Sequence, residues 1–368
     1  MKIAVVCDDL IQFGGQERLV IALLDLFPAA TLYTSVLSFR WRRILREKRV
    51  DHKTSFIQYF PLIKYLNRYY SVFYSHIFGM EAFDLTTYDV VISISSRYSH
   101  FVTTKPQTKH ICYMNSPGRM FWEPITYFEH ETFGFLSFIK KIGDYFVQPF
   151  LSLMRISDRV ASSKVDEYIA NSVSIKNKIT KYYSRNSCVI HPFVEYSRYK
   201  NVVTQKGDYF LVVTRLVSWK RVDLAIKACI KLGAKLKIVG KGPDMKRLKK
   251  MAKDKVEFMG GASDDEKIEL LSGCLALINT QFEDFGIVPL EAMACGKPVI
   301  GYGNGGVLET VIEGKTGLFF KEQKVESLVK VLKKFNSDKF DPEECKNQAK
   351  KFRKKIFLNK IKKKVDVV

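Results

Sequence analysis

Short apolar runs alternate with longer amphipathic stretches along almost the whole chain. In the first half the runs are KIAVVCD, ATLYTSV, DVVISIS, KHICYMN and DEYIANS, and in the second half they are DYFLVVTRL, KLKIVGKG, KVEFMGG, LALINTQ, KPVIGYG and TGLFFK. Between them lie stretches such as GQERLVIALLDLF, VDLAIKACIKLG and DDEKIELLSGC, whose apolar residues recur at helical spacing. This alternation predicts an α/β fold in which a parallel, doubly wound sheet is built twice.

The division between the two predicted sheets falls near residues 191–208. The segment HPFVEYSRYKNVVTQKGD is polar after its first residues, and a new strand begins at its end. Residues 119–165 depart from the alternation, since they are aromatic, basic and helical and include FGFLSFIKKIGDYFVQPFLSLMR. Such a segment is typical both of an interfacial membrane surface and of an insert that packs on the core, and the pattern leaves both interpretations open.

The composition is that of a globular protein, with 368 residues of which 46% are hydrophobic and 27% charged. The seven cysteines are scattered without a C-x-x-C pair, which indicates a reducing compartment and no zinc site. The N-terminal MKIAVVCDDL has two acids where a signal peptide would continue apolar, and no run approaches the ~18 apolar residues of a membrane span. We therefore expect a cytoplasmic protein.

The chain is strongly basic, because 60 Lys and Arg residues against 38 acids give a net charge of +22. Residues 345–365 carry ten basic side chains and no acid, and RWRRILREKR at 40–49 is a second cluster. Such charge suits a polyanion, whether nucleic acid, anionic lipid or a phosphorylated substrate. A lysine-rich proteome with solvated surfaces would give the same totals.

The stretch EDFGIVPLEAMACGKPV, residues 283–299, carries the strongest candidate chemistry. Its apolar positions repeat at helical spacing and Pro289 is tolerated only in a first turn, so a helix is predicted from about Ile287 to about Cys295. The first N–H groups of a helix, here those of Ile287 and Val288, suit a phosphate, and Gly286 allows a ligand to come close.

Three acids accompany this predicted helix. Glu283 and Asp284 precede it, where carboxylates stabilise a helix start, and capping is the favoured interpretation for Asp284. Glu291 lies one turn inside an otherwise apolar helix. A carboxylate at such a position needs a partner, and a ligand hydroxyl would serve.

Two further loops are candidates for phosphate contact. Gly14 and Gly15 lie between the first strand and its helix, where α/β proteins bind ligands, although an ordinary tight turn would use the same pair. In TRLVSWKRVD, residues 214–223, Arg215 supplies a forked donor and Lys220 a point charge, which together suit a diphosphate. By contrast, GYGNGG at 301–306 fits G-x-G-x-x-G but leaves too short a helix before the next strand, which indicates glycine-rich turns rather than a dinucleotide site.

Taken together, these motifs resemble the glycosyltransferases of family 4, which have the two-domain GT-B fold. FGGQER, RLVSWKRVD, VGKGPDMKRL, EDFGIVPLEAMACGKPVIGYGNGGVLETV and GKTGLFF occur in family order, and the likeness extends through nearly the whole chain. In detail the chain is similar to mannosyl- and other hexosyltransferases that build polysaccharide or glycolipid chains on lipid carriers. The resemblance implies two Rossmann-like domains that face a central cleft. Residues 1–195 would bind the acceptor, residues 196–345 would bind the nucleotide sugar, and a basic helix at 346–368 would cross back to the first domain.

The resemblance also implies roles for the residues of the second half. Glu291 would bind the ribose hydroxyls and Glu283 a hydroxyl of the donor sugar. Gly286, Ile287 and Val288 would present the helix start to the sugar and the diphosphate.

The resemblance also implies that fixed positive charge contributes to catalysis. Arg215 and Lys220 would hold the diphosphate, and Gly14 and Gly15 would face it from the first domain. These groups would stabilise the charge that develops on the leaving nucleoside diphosphate. The family retains anomeric configuration and uses neither metal nor cofactor, so the nucleotide sugar, with GDP-mannose as a candidate, is a co-substrate.

One position departs from the family pattern. In HICYMNSPGRMFWEP, residues 110–124, the family usually has a histidine where this chain has Asn115. Asparagine can donate a hydrogen bond but cannot carry charge, so the chemistry on the acceptor side is expected to differ. Arg119 and Trp122 match the pattern, and Asn115 and Arg119 are the acceptor-side candidates.

The sequence thus predicts a retaining, metal-independent hexosyltransferase at the cytoplasmic face of the membrane, with a lipid-linked glycan or polysaccharide as acceptor, an anionic membrane surface as partner and no nucleic acid. The alternative is a non-catalytic basic two-domain protein that binds nucleic acid or anionic lipid. The presence of Glu283, Glu291, Arg215 and Lys220 argues against this alternative, because such a descendant has no reason to keep all four. The residues expected at the lipid headgroups are Phe135, Phe138, Lys140, Lys141, Phe146, Phe150 and Arg155.

Overall fold

The computed structural model describes residues 1–70, 74–123 and 144–366. These residues form two compact units, one of residues 1–123, 144–191 and 357–366 and the other of residues 192–356. Each unit is built on one parallel sheet with helices between successive strands.

The sheet of the first unit has seven strands in the order β3-β2-β1-β4-β5-β6-β7. Its central strands are fully buried, which is why they read as continuous apolar runs. The sequence did not predict β3 and β7, because these two edge strands are only three residues long and their residues do not form an apolar run. In chain order the strands are β1 (Ile3–Cys7), β2 (Thr31–Thr34), β3 (His52–Thr54), β4 (Val90–Ser95), β5 (Lys109–Met114), β6 (Glu167–Ala170) and β7 (Ser187–Val189).

The sheet of the second unit has six strands in the order β10-β9-β8-β11-β12-β13, and all six were predicted. In both sheets the strand order reverses beside the first strand, between β1 and β4 in one and between β8 and β11 in the other. Ligands of open α/β sheets bind at the carboxyl ends of the strands at such a switch point. The strands are β8 (Tyr209–Val213), β9 (Lys235–Val239), β10 (Glu257–Gly260), β11 (Ala276–Asn279), β12 (Val299–Tyr302) and β13 (Gly317–Phe320).

Helices cover the two sheets. Those of the first unit are α1 (Gly15–Leu26), α2 (Phe39–Glu47), α3 (Ile63–Tyr70), α4 (Ser75–Glu81), α5 (Arg119–Trp122), α6 (Asp144–Ser163) and α7 (Val173–Tyr183). Those that follow are α8 (Val222–Leu232), α9 (Met245–Ala252), α10 (Asp264–Ser272), α11 (Ile287–Ala294), α12 (Val307–Thr310), α13 (Val325–Lys334), α14 (Pro342–Lys350) and α15 (Lys354–Val365). No helix in the described ranges is both long enough and apolar enough to cross a membrane.

The basic C-terminal segment forms two helices, α14 and α15, where the sequence suggested one. Asp341 caps α14 and Pro342 occupies its first turn, a position that suits proline. Residues from Phe357 onward belong to the first unit, where the Phe357 ring packs edge-on against Tyr113 at 5.7 Å and Lys364 bonds Glu167.

Helix α6 is the longer of the two described helices in the segment 119–165, and it packs on the core of the first unit. Leu151 and Met154 are buried, the Phe150 ring lies 5.8 Å from Tyr74, and Arg155 Nε donates to the Phe121 carbonyl at 2.6 Å. Phe150 and Arg155 therefore have partners within the unit and are half-buried, and their predicted place at lipid headgroups stays a prediction. Phe135, Phe138, Lys140 and Lys141 lie outside the described residues, as does the side chain of Phe146.

A buried polar network fixes α6 to the sheet. Ser95 Oγ lies 2.8 Å from His100 Nδ1, and His100 Nε2 lies 3.0 Å from the Asp158 carboxylate. The same carboxylate accepts from Trp122 Nε1 at 2.6 Å and from the Tyr183 hydroxyl at 2.7 Å. This has the connectivity of a Ser–His–Asp triad, but all three of its members are fully buried, so we assign it a structural role.

Candidate active site

In the second unit, the loops that follow β8 and β11 meet at the switch point of the sheet. Thr280 Oγ1 donates to the Lys220 carbonyl at 2.9 Å, which ties the first loop to the end of β11. Lys220 Nζ then donates to Glu283 Oε1 at 2.9 Å. Arg215 lies exposed on the same loop as Lys220. The structure thus brings together Lys220 and Glu283, two of the predicted site residues.

Two residues that were not predicted from the sequence, Gln281 and Thr214, hold the Glu283 carboxylate through hydrogen bonds. Gln281 Nε2 donates to Glu283 Oε1, and Thr214 Oγ1 donates to Gln281 Oε1 at 3.1 Å. The Lys220 ammonium also packs over the Trp219 ring, 4.2 Å from its centroid. Because Thr214 and Gln281 follow different strands, no local motif could have marked this network.

Helix α11 begins beside Glu283, close to the predicted position. Its N-cap is Gly286, whose φ of 91° is a left-handed backbone conformation that residues other than glycine rarely adopt. The N-cap is therefore not Asp284, which lies two residues earlier, and this corrects the capping interpretation. The first N–H groups of α11, at Ile287 and Val288, have no carbonyl one turn earlier within the helix, which is the arrangement that suits an anion.

The glycine-rich stretch at 301–306 supports the backbone of Glu283. Gly306 N donates to the Glu283 carbonyl at 2.8 Å. A Cβ at Gly305 would overlap that same carbonyl oxygen, and one at Gly306 would overlap the backbone of Asp284 and Phe285. These glycines are thus needed for close backbone packing behind the candidate site, a role that the sequence did not reveal.

Glu291 is 2% exposed on α11, as its apolar surroundings suggested. Its Oε1 accepts from Lys267 Nζ of α10 at 2.8 Å, and Lys267 also lies 3.5 Å from Asp264. A protein ammonium group is therefore one partner of this buried carboxylate, and its predicted contact with a ligand hydroxyl stays a prediction. The ion pair keeps the carboxylate in place at the second turn of α11.

In the first unit, Gly14 is the N-cap of α1 and Gly15 is its first residue. The loop between β1 and α1 carries buried acids that the sequence analysis did not select. The Asp8 carboxylate accepts backbone N–H bonds of 2.7–2.8 Å from Ser96, Tyr98 and Ser99, which fixes the neighbouring loop after β4.

Glu17, in the first turn of α1, is 3% exposed. Burial raises the pKa of its carboxyl from 4.5 to about 7, and the charge of Asp9 adds to that shift, while Arg97 opposes it. The first unit therefore holds a carboxyl group beside Gly14 that changes its protonation near neutral pH.

The acceptor-side candidates lie at the carboxyl end of β5. Asn115 donates its backbone N–H to the Ser95 carbonyl at 2.7 Å and accepts from Asn171 Nδ2 at 2.9 Å. Its own Nδ2 is buried and has no hydrogen-bond partner within the described ranges. Arg119 is the first residue of α5. Trp122, the last residue of that helix, donates its indole N–H to the Asp158 carboxylate, so we assign Trp122 a structural role.

The chain is similar to known glycosyltransferases. Residues 193–352 match the family model described as glycosyl transferases group 1. The alpha-1,3/1,6-mannosyltransferase ALG2 of Mus musculus is 31% identical over 166 residues, which are 36% of this chain and 40% of that protein. The GDP-mannose-dependent alpha-(1-6)-phosphatidylinositol monomannoside mannosyltransferase of Mycobacterium tuberculosis is 38% identical over 130 residues, which are 32% of this chain and 31% of that protein.

Among solved structures, that of Anabaena Alr3699/HepE in complex with UDP superimposes with a TM-score of 0.72 at 16% identity and covers 100% of both chains. The chain spans about half or less of the length of the curated relatives it matches. The predicted α/β, two-domain GT-B fold is confirmed. These findings support a GT-B glycosyltransferase that resembles the mannosyltransferases, as the sequence predicted.

Proposed function

We propose that this chain is a retaining, metal-independent hexosyltransferase. It takes a hexose from a nucleotide-diphosphate sugar, with mannose and GDP-mannose as the candidates, and transfers it to a lipid-linked glycan or polysaccharide. The GDP-mannose-dependent relative supports this choice of donor and of a lipid acceptor. The neighbour solved with UDP makes a uridine nucleotide the competing donor.

One observation carries the proposal. The Lys220–Glu283 pair lies at the β8/β11 switch point, directly before the N-terminus of α11, and Glu291 follows on the same helix. The positive charge and the helix start suit a diphosphate, whereas the two carboxylates suit hydroxyl groups. This pairing of anion-binding and hydroxyl-binding groups matches the two chemical halves of a nucleotide sugar.

Each of these groups has its own role in the proposed reaction. Glu291 binds the ribose, Arg215 and Lys220 bind the diphosphate, and Glu283 binds a sugar hydroxyl. The acceptor hydroxyl attacks the anomeric carbon while the bond to the phosphate oxygen breaks, and the leaving phosphate takes the proton of the acceptor. The two cations stabilise the charge that develops on the leaving group. The described residues contain no group of three or more His, Cys, Asp or Glu side chains placed to hold a metal ion.

A membrane partner is supported by the surface of the first unit. Strands β1, β2 and β3 are parallel neighbours, so the loops that follow them emerge at one edge of the sheet. Exposed apolar side chains on these loops are Ile11, Phe13, Phe39, Phe56, Tyr59 and Leu62.

Helix α2 contributes positive charge to the same edge. Its residues Arg40, Arg42, Arg43 and Arg46 are exposed, while Trp41 and Leu45 are buried. Arg40 lies over the Phe13 ring at 5.4 Å, and Phe13 stacks on Trp41 at 5.6 Å, which joins the charged and the apolar parts. Apolar side chains beside arginines are typical of a surface that meets anionic lipid headgroups, and we place the cytoplasmic membrane contact here.

Thermal unfolding in the presence of UDP-, GDP-, ADP- and dTDP-sugars tests the proposal. A ligand at 100 times its dissociation constant stabilises the folded state by about 2.7 kcal/mol, so one donor should raise the melting temperature by several degrees. Lys227→Ala, an exposed change on α8, should keep that shift, and Lys220→Ala should reduce it. No shift with any of the four nucleotide sugars would contradict the proposal.

A further inference from the structure

Gln281 joins the two strands of the switch point. Its side chain is 4% exposed, and it follows β11 by one intervening residue, whereas Thr214 follows β8 directly. Thr214 Oγ1 donates to Gln281 Oε1 at 3.1 Å, and Gln281 Nε2 donates to Glu283 Oε1. A single buried amide therefore connects the end of one strand to a carboxylate of the candidate site.

The two ends of this amide are not equivalent. The carbonyl oxygen only accepts hydrogen bonds and the NH₂ group only donates them. Because the hydroxyl of Thr214 occupies the oxygen, the NH₂ group faces Glu283. A donor in this position favours the ionised carboxylate and limits its rotation.

Both donors to the Glu283 carboxylate converge on the same oxygen. Gln281 Nε2 and Lys220 Nζ each bond Oε1, and within the described part of the chain no hydrogen bond to Oε2 is seen. The Glu283 side chain is 18% exposed, so its second oxygen can reach a ligand. The carboxylate is thus held by one oxygen, with the other left for a hydroxyl donor.

We propose that Gln281 is a positioning residue for the donor sugar, which sets the Glu283 carboxylate so that Oε2 accepts a hydroxyl of the hexose. This inference rests on the proposed function. The two halves of the donor would respond differently to a change at Gln281, because Gln281 would act on the sugar and not on the nucleotide. A residue that served only the fold would affect both halves together.

The test compares two dissociation constants in the full chain with Gln281→Met, a change of similar size that removes the donor. Calorimetry measures binding of GDP-mannose and GDP, or of UDP-glucose and UDP if the wild type binds those. We expect nucleotide-sugar binding to weaken about tenfold or more, the usual cost of a lost hydrogen bond to a charged group, and binding of the nucleoside diphosphate to change less than about twofold. The turnover number should fall as well.

Two further variants keep the test decisive. Thr214→Val, which frees the amide from its anchor, should shift the same ratio in the same direction, and it replaces Gln281→Met if that variant does not fold. Gln323→Met is the matched control, because Gln323 Nε2 donates at 2.8 Å to the Thr280 carbonyl in the same loop and not to a carboxylate. This control should leave the ratio of the two constants unchanged.

Equal weakening of both ligands by Gln281→Met and Thr214→Val would overturn the inference and assign Gln281 to the fold, while leaving the proposed function intact. Unchanged binding of both ligands would overturn it equally. If the wild type bound no nucleoside diphosphate, the proposed function would fail, and the inference would fail with it.

Discussion

Lys220 Nζ lies 2.9 Å from Glu283 Oε1, and the two side chains are 12% and 18% exposed. In this state the cation that would hold the diphosphate is neutralised by the carboxylate that would hold the sugar. A diphosphate must therefore compete with Glu283 for Lys220. Removal of one partner from such a poorly solvated pair leaves the other charge uncompensated, which makes the pair sensitive to single substitutions.

Glu283→Gln should separate binding from turnover. The variant removes the competing negative charge, so a nucleoside diphosphate should bind as tightly as in the wild type or a few-fold more tightly. Turnover should fall roughly 10²-fold, because the contact with the sugar hydroxyl is weakened. Calorimetry with GDP and UDP, together with a turnover assay, checks both parts. Much weaker diphosphate binding in Glu283→Gln would show that the pair does not compete with the ligand.

Lys267→Met tests the ion pair beneath Glu291. Since Glu291 is 2% exposed, loss of its 2.8 Å ammonium partner should lower the free energy of unfolding by about 3–5 kcal/mol. Lys267→Met combined with Glu291→Gln should recover part of that loss, because no buried negative charge remains. Denaturant unfolding measures both variants. An unchanged midpoint in Lys267→Met would indicate that Glu291 is already neutral or well solvated.

Burial of Glu17 should make the free energy of unfolding depend on pH. Its pKa is raised by burial from 4.5 to about 7, so between these values the folded state keeps a proton that the unfolded state releases. The free energy of unfolding therefore falls as pH rises through this window. Glu17→Gln has no such proton, and above pH 7 it should be more stable than the wild type by on the order of 2–3 kcal/mol.

Unfolding of both proteins at pH 8, 6 and 4.5 measures this difference, which should shrink steadily and vanish at the lowest pH. Glu47→Gln is a suitable control, since Glu47 is exposed at the end of α2 and its removal should give a small, nearly constant difference. A gain in Glu17→Gln that is the same at pH 8 and pH 4.5 would rule out titration of Glu17 as its cause.

The proposed membrane surface predicts binding that depends on charge and salt. Arg42→Glu with Arg46→Glu should weaken binding to anionic liposomes about tenfold or more, because each basic residue near such a surface adds about 1 kcal/mol. Lys246→Glu with Lys250→Glu on α9 makes the same charge change elsewhere and should have a smaller effect. Binding to neutral liposomes should be weak, and all binding should fall as salt rises.

The non-catalytic alternative also predicts sensitivity to salt, so a competition experiment is needed. If single-stranded or duplex nucleic acid bound far more tightly than anionic lipid at equal salt, the membrane assignment would be wrong. Equal loss of lipid binding in the α2 and α9 variants would mean that net charge, not the edge of β1–β3, attracts the membrane.

Much of the fold could be predicted from sequence because its signals are local. The start of α11 followed from Pro289 in its first turn, and the central strands followed from their continuous apolar runs. Gln281 and Lys267 could not be found in this way. Their partners lie 67 residues away in Thr214 and 24 residues away in Glu291, and only the folded sheet brings such side chains together.

In the proposed function, the second unit transfers a hexose from a nucleotide sugar by means of Arg215 and Lys220. The most direct measurement is the rate of hexose transfer to a lipid-linked glycan acceptor, with EDTA present, for the wild type, Arg215→Ala, Lys220→Ala and the control Lys227→Ala. We expect transfer by the wild type and the control, and a loss of roughly 10²-fold or more in the other two variants, because each lacks a cation that stabilises the leaving diphosphate. Wild-type rates in Arg215→Ala and Lys220→Ala would contradict this proposal.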